Sequence, residues 1–112
     1  GDQLRDFVWV GDCVNIMLWL LENPDVSGLI NVGSGEARSF NDLAKSVFEA
    51  MDHEARIEYV DMPAGLNEKY QYYTKSNMSS LKEAGYTHDL TSLEDGVKAY
   101  VQNFLESEDS YR

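Results

Sequence analysis

Cysteine is nearly missing from this chain. Cys13 is the only one in 112 residues. One thiol closes no internal disulfide, so a reducing compartment is the expected setting. Histidine is almost as sparse. His53 and His88 show no ligand spacing with Cys13, and no metal site is expected. No apolar run reaches the roughly 18 residues that a membrane-crossing helix needs. With no signal-like start either, a cytoplasmic protein is expected. Positive charge is scarce as well: nine basic residues face twenty acidic ones, for a net charge of −11. That balance argues against binding nucleic acid or an anionic membrane. Any bound phosphate must then rely on local donors against the overall field. Repeats and low-complexity segments are also lacking.

What is present fits one small α/β domain. Hydrophobic residues make up 43% of the chain and aromatics 12%, which is globular composition. At this length the chain lies near the lower limit for an independent core. Strand-like residues begin almost at once, so the chain is expected to be a piece of a longer protein. Cys13 to Glu22 reads as a helix that is apolar nearly all round. Such a helix is buried against more than one neighbour, and part of its surface is expected to face another domain. Asn23-Pro24-Asp25 stops it. Leu29 to Val32 reads as a short buried strand and Arg56 to Val60 as another. Ser39 opens a second helix, with Asp42 as the partner of a shortened capping box. Its stripe is Phe40, Leu43, Ala44, Val47, Phe48 and Met51. Ser76 to Ala84 reads as a short helix capped by Ser76 and closed by Gly85 at C′. Thr91 with Glu94 opens the last helix, whose stripe is Leu93, Val97, Tyr100, Val101 and Phe104. Gly96 costs that helix about 1 kcal/mol relative to Ala, so close packing is expected there.

Two stretches carry chemistry. The first is Leu4-Arg5-Asp6-Phe7-Val8-Trp9-Val10-Gly11-Asp12. Phe7 to Val10 reads as a strand, and Asp12 as the cap of the helix that follows. Arg5 offers a rigid fork of donors that suits a diphosphate. The alternative reading is a surface ion pair with Asp6 or Asp2, the commoner role for an Arg beside a strand. The second stretch is Glu68 to Thr74. Tyr70 and Tyr72 fall on one face if it is extended, with Gln71 and Tyr73 on the other. Such tyrosines either edge a core or close over a ligand through their phenols. The Gly33-Ser34-Gly35 turn is not a dinucleotide loop, because Arg38 stands where the third glycine is needed. It is read as a structural turn.

Arg-Asp-Phe-Val-aromatic-Val-x-Asp resembles the signature in the C-terminal half of extended short-chain dehydrogenase/reductase enzymes that act on nucleotide sugars. Gly28-Leu29-Ile30-Asn31-Val32-Gly33-Ser34-Gly35 is similar to their second landmark. Glu68-Lys69-Tyr70-Gln71-Tyr72-Tyr73-Thr74, with Leu81-Lys82-Glu83-Ala84-Gly85-Tyr86, resembles the ADP-heptose epimerases in particular. The resemblance implies a small mixed α/β substrate-binding domain over residues 1–112, with about four helices and three or four short strands. It implies that Arg5 clamps the diphosphate and that Tyr70 contacts the nucleotide sugar. It implies NADP as cofactor, carried on an N-terminal Rossmann domain that this sequence does not contain, and a homo-oligomer as the assembly. The implied reaction inverts one sugar carbinol by transient oxidation and re-reduction. The family's Tyr-x-x-x-Lys pair is not found here. Tyr70 is followed at four positions by Thr74, Tyr72 by Ser76, Tyr86 by Leu90 and Tyr100 by Phe104. No catalytic residue is therefore assigned, and these residues alone are not expected to turn over substrate. Relatives usually have Tyr where Trp9 stands. Two alternatives remain: an enzyme acting on UDP or dTDP sugars, and a non-enzymatic acidic domain that binds a protein partner through its apolar helix.

Overall fold

The computed structural model describes residues 1–66 and 73–105. In chain order the elements are β1 (Leu4–Arg5), α1 (Val10–Glu22), β2 (Arg38–Ser39), α2 (Phe40–Ala50), α3 (Ser79–Glu83) and α4 (Leu93–Tyr100). A π-helical turn, Val101–Leu105, continues α4. The class is mixed α/β with four helices, as the sequence implies. Among the described residues the sheet has two strands rather than three or four. β1 and β2 pair antiparallel, with Leu4 opposite Ser39 and Arg5 opposite Arg38. One parallel bridge adds Tyr73 beside Leu4.

The strand expected at Phe7–Val10 is not formed. Pairing ends at Arg5, and α1 already starts at Val10 with Trp9 as its N-cap residue. Asp12 is consequently not the cap. It sits at the third helical position and is 6% exposed. Its carboxylate reaches across to the Thr91 N–H and hydroxyl, at 2.8 Å each. The strands expected at Leu29–Val32 and Arg56–Val60 are also not formed. Leu29 is 94% exposed and Val60 84% exposed. Composition supplied the right residues, but a strand exists only when a neighbour completes its ladder.

Helix ends follow local chemistry where nothing distant competes. Asn23 closes α1. The Ser39–Asp42 capping box is complete at α2, since each side chain satisfies the other's orphan backbone donor. Gly85 follows α3 with φ +110°, the left-handed conformation expected of it. Two starts differ from expectation. α3 begins at Ser79 rather than after Ser76; the Ser79 N–H is taken by the Asn77 side chain, while the Ser76 N–H is held by Asp6. α4 is capped by Ser92, whose hydroxyl accepts from the Asp95 N–H. Thr91 is taken by Asp12.

The core is small. Ile16 of α1 meets Met78, Leu81 and Tyr86, with Trp19, Leu20, Ile30 and Leu90 packed around them. Trp19 and Tyr86 meet edge-to-face at 5.4 Å, a preferred aromatic geometry. A second layer joins α2 to α4, where Ala50 and Val101 are buried. Trp9 packs over buried Gly96, and its ring meets Tyr100 at 6.4 Å. The close packing expected at Gly96 is thus present. The apolar surface of α1 is only partly covered: Val14, Met17, Leu18 and Leu21 are exposed.

Candidate functional site

Arg5 enters the site from β1, where the ladder fixes its backbone. It lies directly opposite Arg38. Like charges facing across a ladder repel, and Arg38 is compensated on its other side. Its guanidinium forks onto both carboxylate oxygens of Glu94 and also reaches Asp42 at 3.3 Å. The Glu94 carboxylate, ahead of the opposing effect of burial, raises the Arg38 pKa. Arg5 is half-buried, and its Nη1 donates to the Leu4 carbonyl at 3.2 Å.

Beside Arg5, the Asp6 carboxylate accepts four hydrogen bonds. Oδ1 takes the Ser34 N–H at 2.7 Å and the Ser34 hydroxyl at 2.6 Å. Oδ2 takes the Gly35 N–H at 3.0 Å and the Ser76 N–H at 2.9 Å. Burial pushes this carboxyl up, but the donors from Ser34, Ser76 and Gly35 outweigh it and hold it below the usual aspartate range. The glycine turn is therefore an anion nest filled by the chain's own carboxylate. That explains physically why it is no dinucleotide loop: its donors are already engaged.

The Glu68–Thr74 run enters the described region at Tyr73. The Thr74 N–H donates to the Leu4 carbonyl at 2.9 Å, and Ser76 is tied to Asp6. This end of the run lies along β1, next to Arg5. Tyr70, with its neighbours Lys69 and Gln71, lies outside the described residues.

A wide cleft of about 880 Å³ opens between the glycine turn, residues 73–79 and the start of α4. Arg38, Lys75 and Lys82 line it together with Tyr73 and Tyr86; Arg5 does not. A smaller apolar cleft of about 320 Å³ is bounded by Phe7, Trp9, Leu43, Gly96 and Tyr100. Among the described residues no cluster of three or more His, Cys, Asp or Glu could hold a metal ion. None of their helices is long and apolar enough to cross a membrane. The Gly33–Gly35 turn spends the Ser34 and Gly35 N–H groups on Asp6 and so does not offer those donors to a cofactor phosphate. His88 stands against the Tyr86 ring at 5.2 Å.

Of the two residues expected to meet substrate, Arg5 lies on β1 and Tyr70 is outside the described residues; Asp6 and Arg38, which shape the surroundings of Arg5, were not expected to do so. The signal for Asp6 was available: a Gly-Ser-Gly turn with free N–H groups needs an anion, and Asp6 is an acid just past the end of β1.

Residues 1–33 match the model of the NAD dependent epimerase/dehydratase family. The particular likeness is narrower. Over 111 residues the chain is 51% identical to ADP-L-glycero-D-manno-heptose-6-epimerase of Nitratidesulfovibrio vulgaris, covering 99% of this chain and 34% of that protein. It is 46% identical over 117 residues to the Fusobacterium nucleatum protein of the same name, covering 99% of this chain and 35% of that one. The Thiobacillus denitrificans protein, also of that name, is 38% identical over 121 residues, covering 96% and 36%. The chain spans about a third of the length of these relatives. The resemblance to the ADP-heptose epimerases is thereby shown along nearly all of the chain.

Proposed function

We propose that this chain is the substrate-binding part of an NADP-dependent ADP-glyceromanno-heptose 6-epimerase. The carrying observation is the 51% identity over 99% of the chain to an epimerase of that name. The complete enzyme inverts one carbinol centre of a nucleotide-activated heptose, with no net change in redox state. Its product is a precursor of the lipopolysaccharide core. It works as a cytoplasmic homo-oligomer.

In this reading Arg5 clamps the diphosphate of ADP-heptose and Tyr70 helps seat the nucleotide sugar. Binding energy from the remote diphosphate then positions the reacting sugar. Pairing fixes the Arg5 backbone, and a planar guanidinium fork loses little rotamer freedom per hydrogen bond it forms, which suits that role. NADP and the proton-transfer residues belong to a Rossmann domain elsewhere in the same polypeptide. The exposed apolar residues Met17, Leu18, Leu21 and Leu29 support a surface that packs against such a domain. These residues alone do not turn over substrate.

The test is to supply the complete polypeptide with NADP and one 6-epimer of ADP-heptose and to follow the sugar protons by NMR. The expected result is conversion to the other epimer with no net change in nicotinamide absorbance. Parallel titrations with ADP, UDP and dTDP should give the tightest binding for ADP. Tighter binding of UDP would reassign the enzyme to another nucleotide sugar.

A further inference from the structure

We infer that Asp6 is a positioning residue for the substrate wall, clamping the 33–35 turn and the 74–76 segment together at the exit of β1 so that Arg5 is held for the diphosphate. The inference rests on the reading of Arg5 given above.

Asp6 follows Arg5 directly, so whatever fixes one constrains the backbone of the other. Its two oxygens take donors from two segments far apart in sequence, Ser34-Gly35 and Ser76. Both border the wide cleft: Ser34, Gly35 and Ser76 all line it. The joint is tight from the other side too. A methyl group on Gly33 would lie 2.5 Å from Ser76 Cβ and 2.8 Å from Asp6 Oδ2, so something must shift. With four donors on two oxygens the carboxylate has little capacity left for substrate. It acts through geometry rather than chemistry. Asn in its place supplies one acceptor oxygen and an NH₂ that faces backbone donors, which breaks the clamp while keeping the volume.

Asp12 provides the internal comparison. It too is a carboxylate bridging distant segments, here α1 and Thr91, and both of these bonds go to Thr91 rather than to the segments that flank β1.

The experiment uses the complete polypeptide, wild type and the variants Asp6→Asn, Asp6→Ala, Gly33→Ala and Asp12→Asn. Affinity for ADP-glucose is read by calorimetry on the folded fraction, and stability by urea denaturation. Asp6→Asn and Gly33→Ala should each weaken ADP-glucose binding by about 10- to 100-fold, the penalty for a small misplacement of a binding group. Asp12→Asn should lower stability and leave affinity unchanged. Formate, which fits a nest emptied of its carboxylate, should restore part of the affinity of Asp6→Ala and none of that of Gly33→Ala. Unchanged affinity in Asp6→Asn, or a loss equal to that of Asp12→Asn, would reduce Asp6 to a structural tie and overturn the inference. Failure of the wild type to bind ADP-glucose would instead overturn the reading of the site, and the inference with it.

Discussion

The buried carboxylate of Asp12 accepts both the backbone N–H and the hydroxyl of Thr91, at 2.8 Å each. This single contact ties α1 to the segment that leads into α4, across 79 positions of sequence. Asp12→Ala leaves the Thr91 N–H without its partner, and a lost hydrogen bond to a charged group is worth about 1.5–3 kcal/mol. Thr91→Val removes only the hydroxyl donor, one of the two bonds to the carboxylate, and should cost less than Asp12→Ala, near the lower end of that range at about 1.5 kcal/mol. Urea denaturation of both variants checks the order.

Two glycines should respond to alanine in opposite directions. Gly85 stands at φ +110°, a conformation that costs an L-residue about 1–2 kcal/mol. Gly85→Ala should destabilise by that amount. Gly96 lies inside α4, and an added methyl would meet Trp9 Cβ at 3.4 Å, an ordinary contact. Gly96→Ala should therefore stabilise by up to about 1 kcal/mol through helix propensity. Gly96→Val, which adds bulk against Trp9, should destabilise. Thermal melts of the three variants separate these signs.

Acid should loosen the joint around β1. Hydrogen bonds hold Asp6 below its ordinary value of 3.8 despite burial. Asp42 is lowered likewise, where burial pushes up and Arg38 and Ser39 pull down more. The Arg38 hydrogen bond lowers Glu94 from 4.5. A carboxylate depressed on folding stabilises the fold above its unfolded pKa and loses that stabilisation as pH falls through the folded one. Stability should therefore decline as pH approaches 4.5 and then 3.8, and keep declining below. In Asp6→Asn the acid slope should be shallower than in wild type. Denaturation midpoints over an acid pH series measure this.

The Arg38–Glu94 pair should matter little at high salt. Both side chains are partly exposed, and exposed pairs contribute about 0.2–1 kcal/mol. Glu94→Gln should cost no more than about 1 kcal/mol at low ionic strength. The cost should shrink toward zero in about 1 M salt, where the Debye length is about 3 Å. Paired denaturation curves at the two ionic strengths decide it.

Much of this fold was legible in the sequence. The Ser39 capping box, the Asn23 stop and the Gly85 terminus are set within a few residues, and the sequence shows all of them. The start of α4 slipped because the Thr91 hydroxyl is engaged by Asp12, from 79 positions away; the start of α3 slipped because the Asn77 side chain, not that of Ser76, takes the Ser79 N–H. The apolar runs at Phe7–Val10 and Leu29–Val32 looked like strands because composition reports what a segment suits, and pairing depends on a neighbour. At the site, Arg5 was singled out as a guanidinium ahead of the expected Phe7–Val10 strand, and its diphosphate role came from the resemblance; the structure puts Arg5 itself on the paired strand. Asp6 was not singled out, because its role lies in donors contributed by distant turns. Tyr70 lies outside the described residues.

In the proposed enzyme Arg5 binds the diphosphate of an ADP-sugar. Calorimetric titration of the complete polypeptide with ADP-glucose, wild type against Arg5→Ala, measures that contact. A loss of about 1.5–3 kcal/mol in binding free energy, the range for charge-assisted hydrogen bonds, is the predicted result. Equal affinity in the two proteins would contradict it and remove Arg5 from the site.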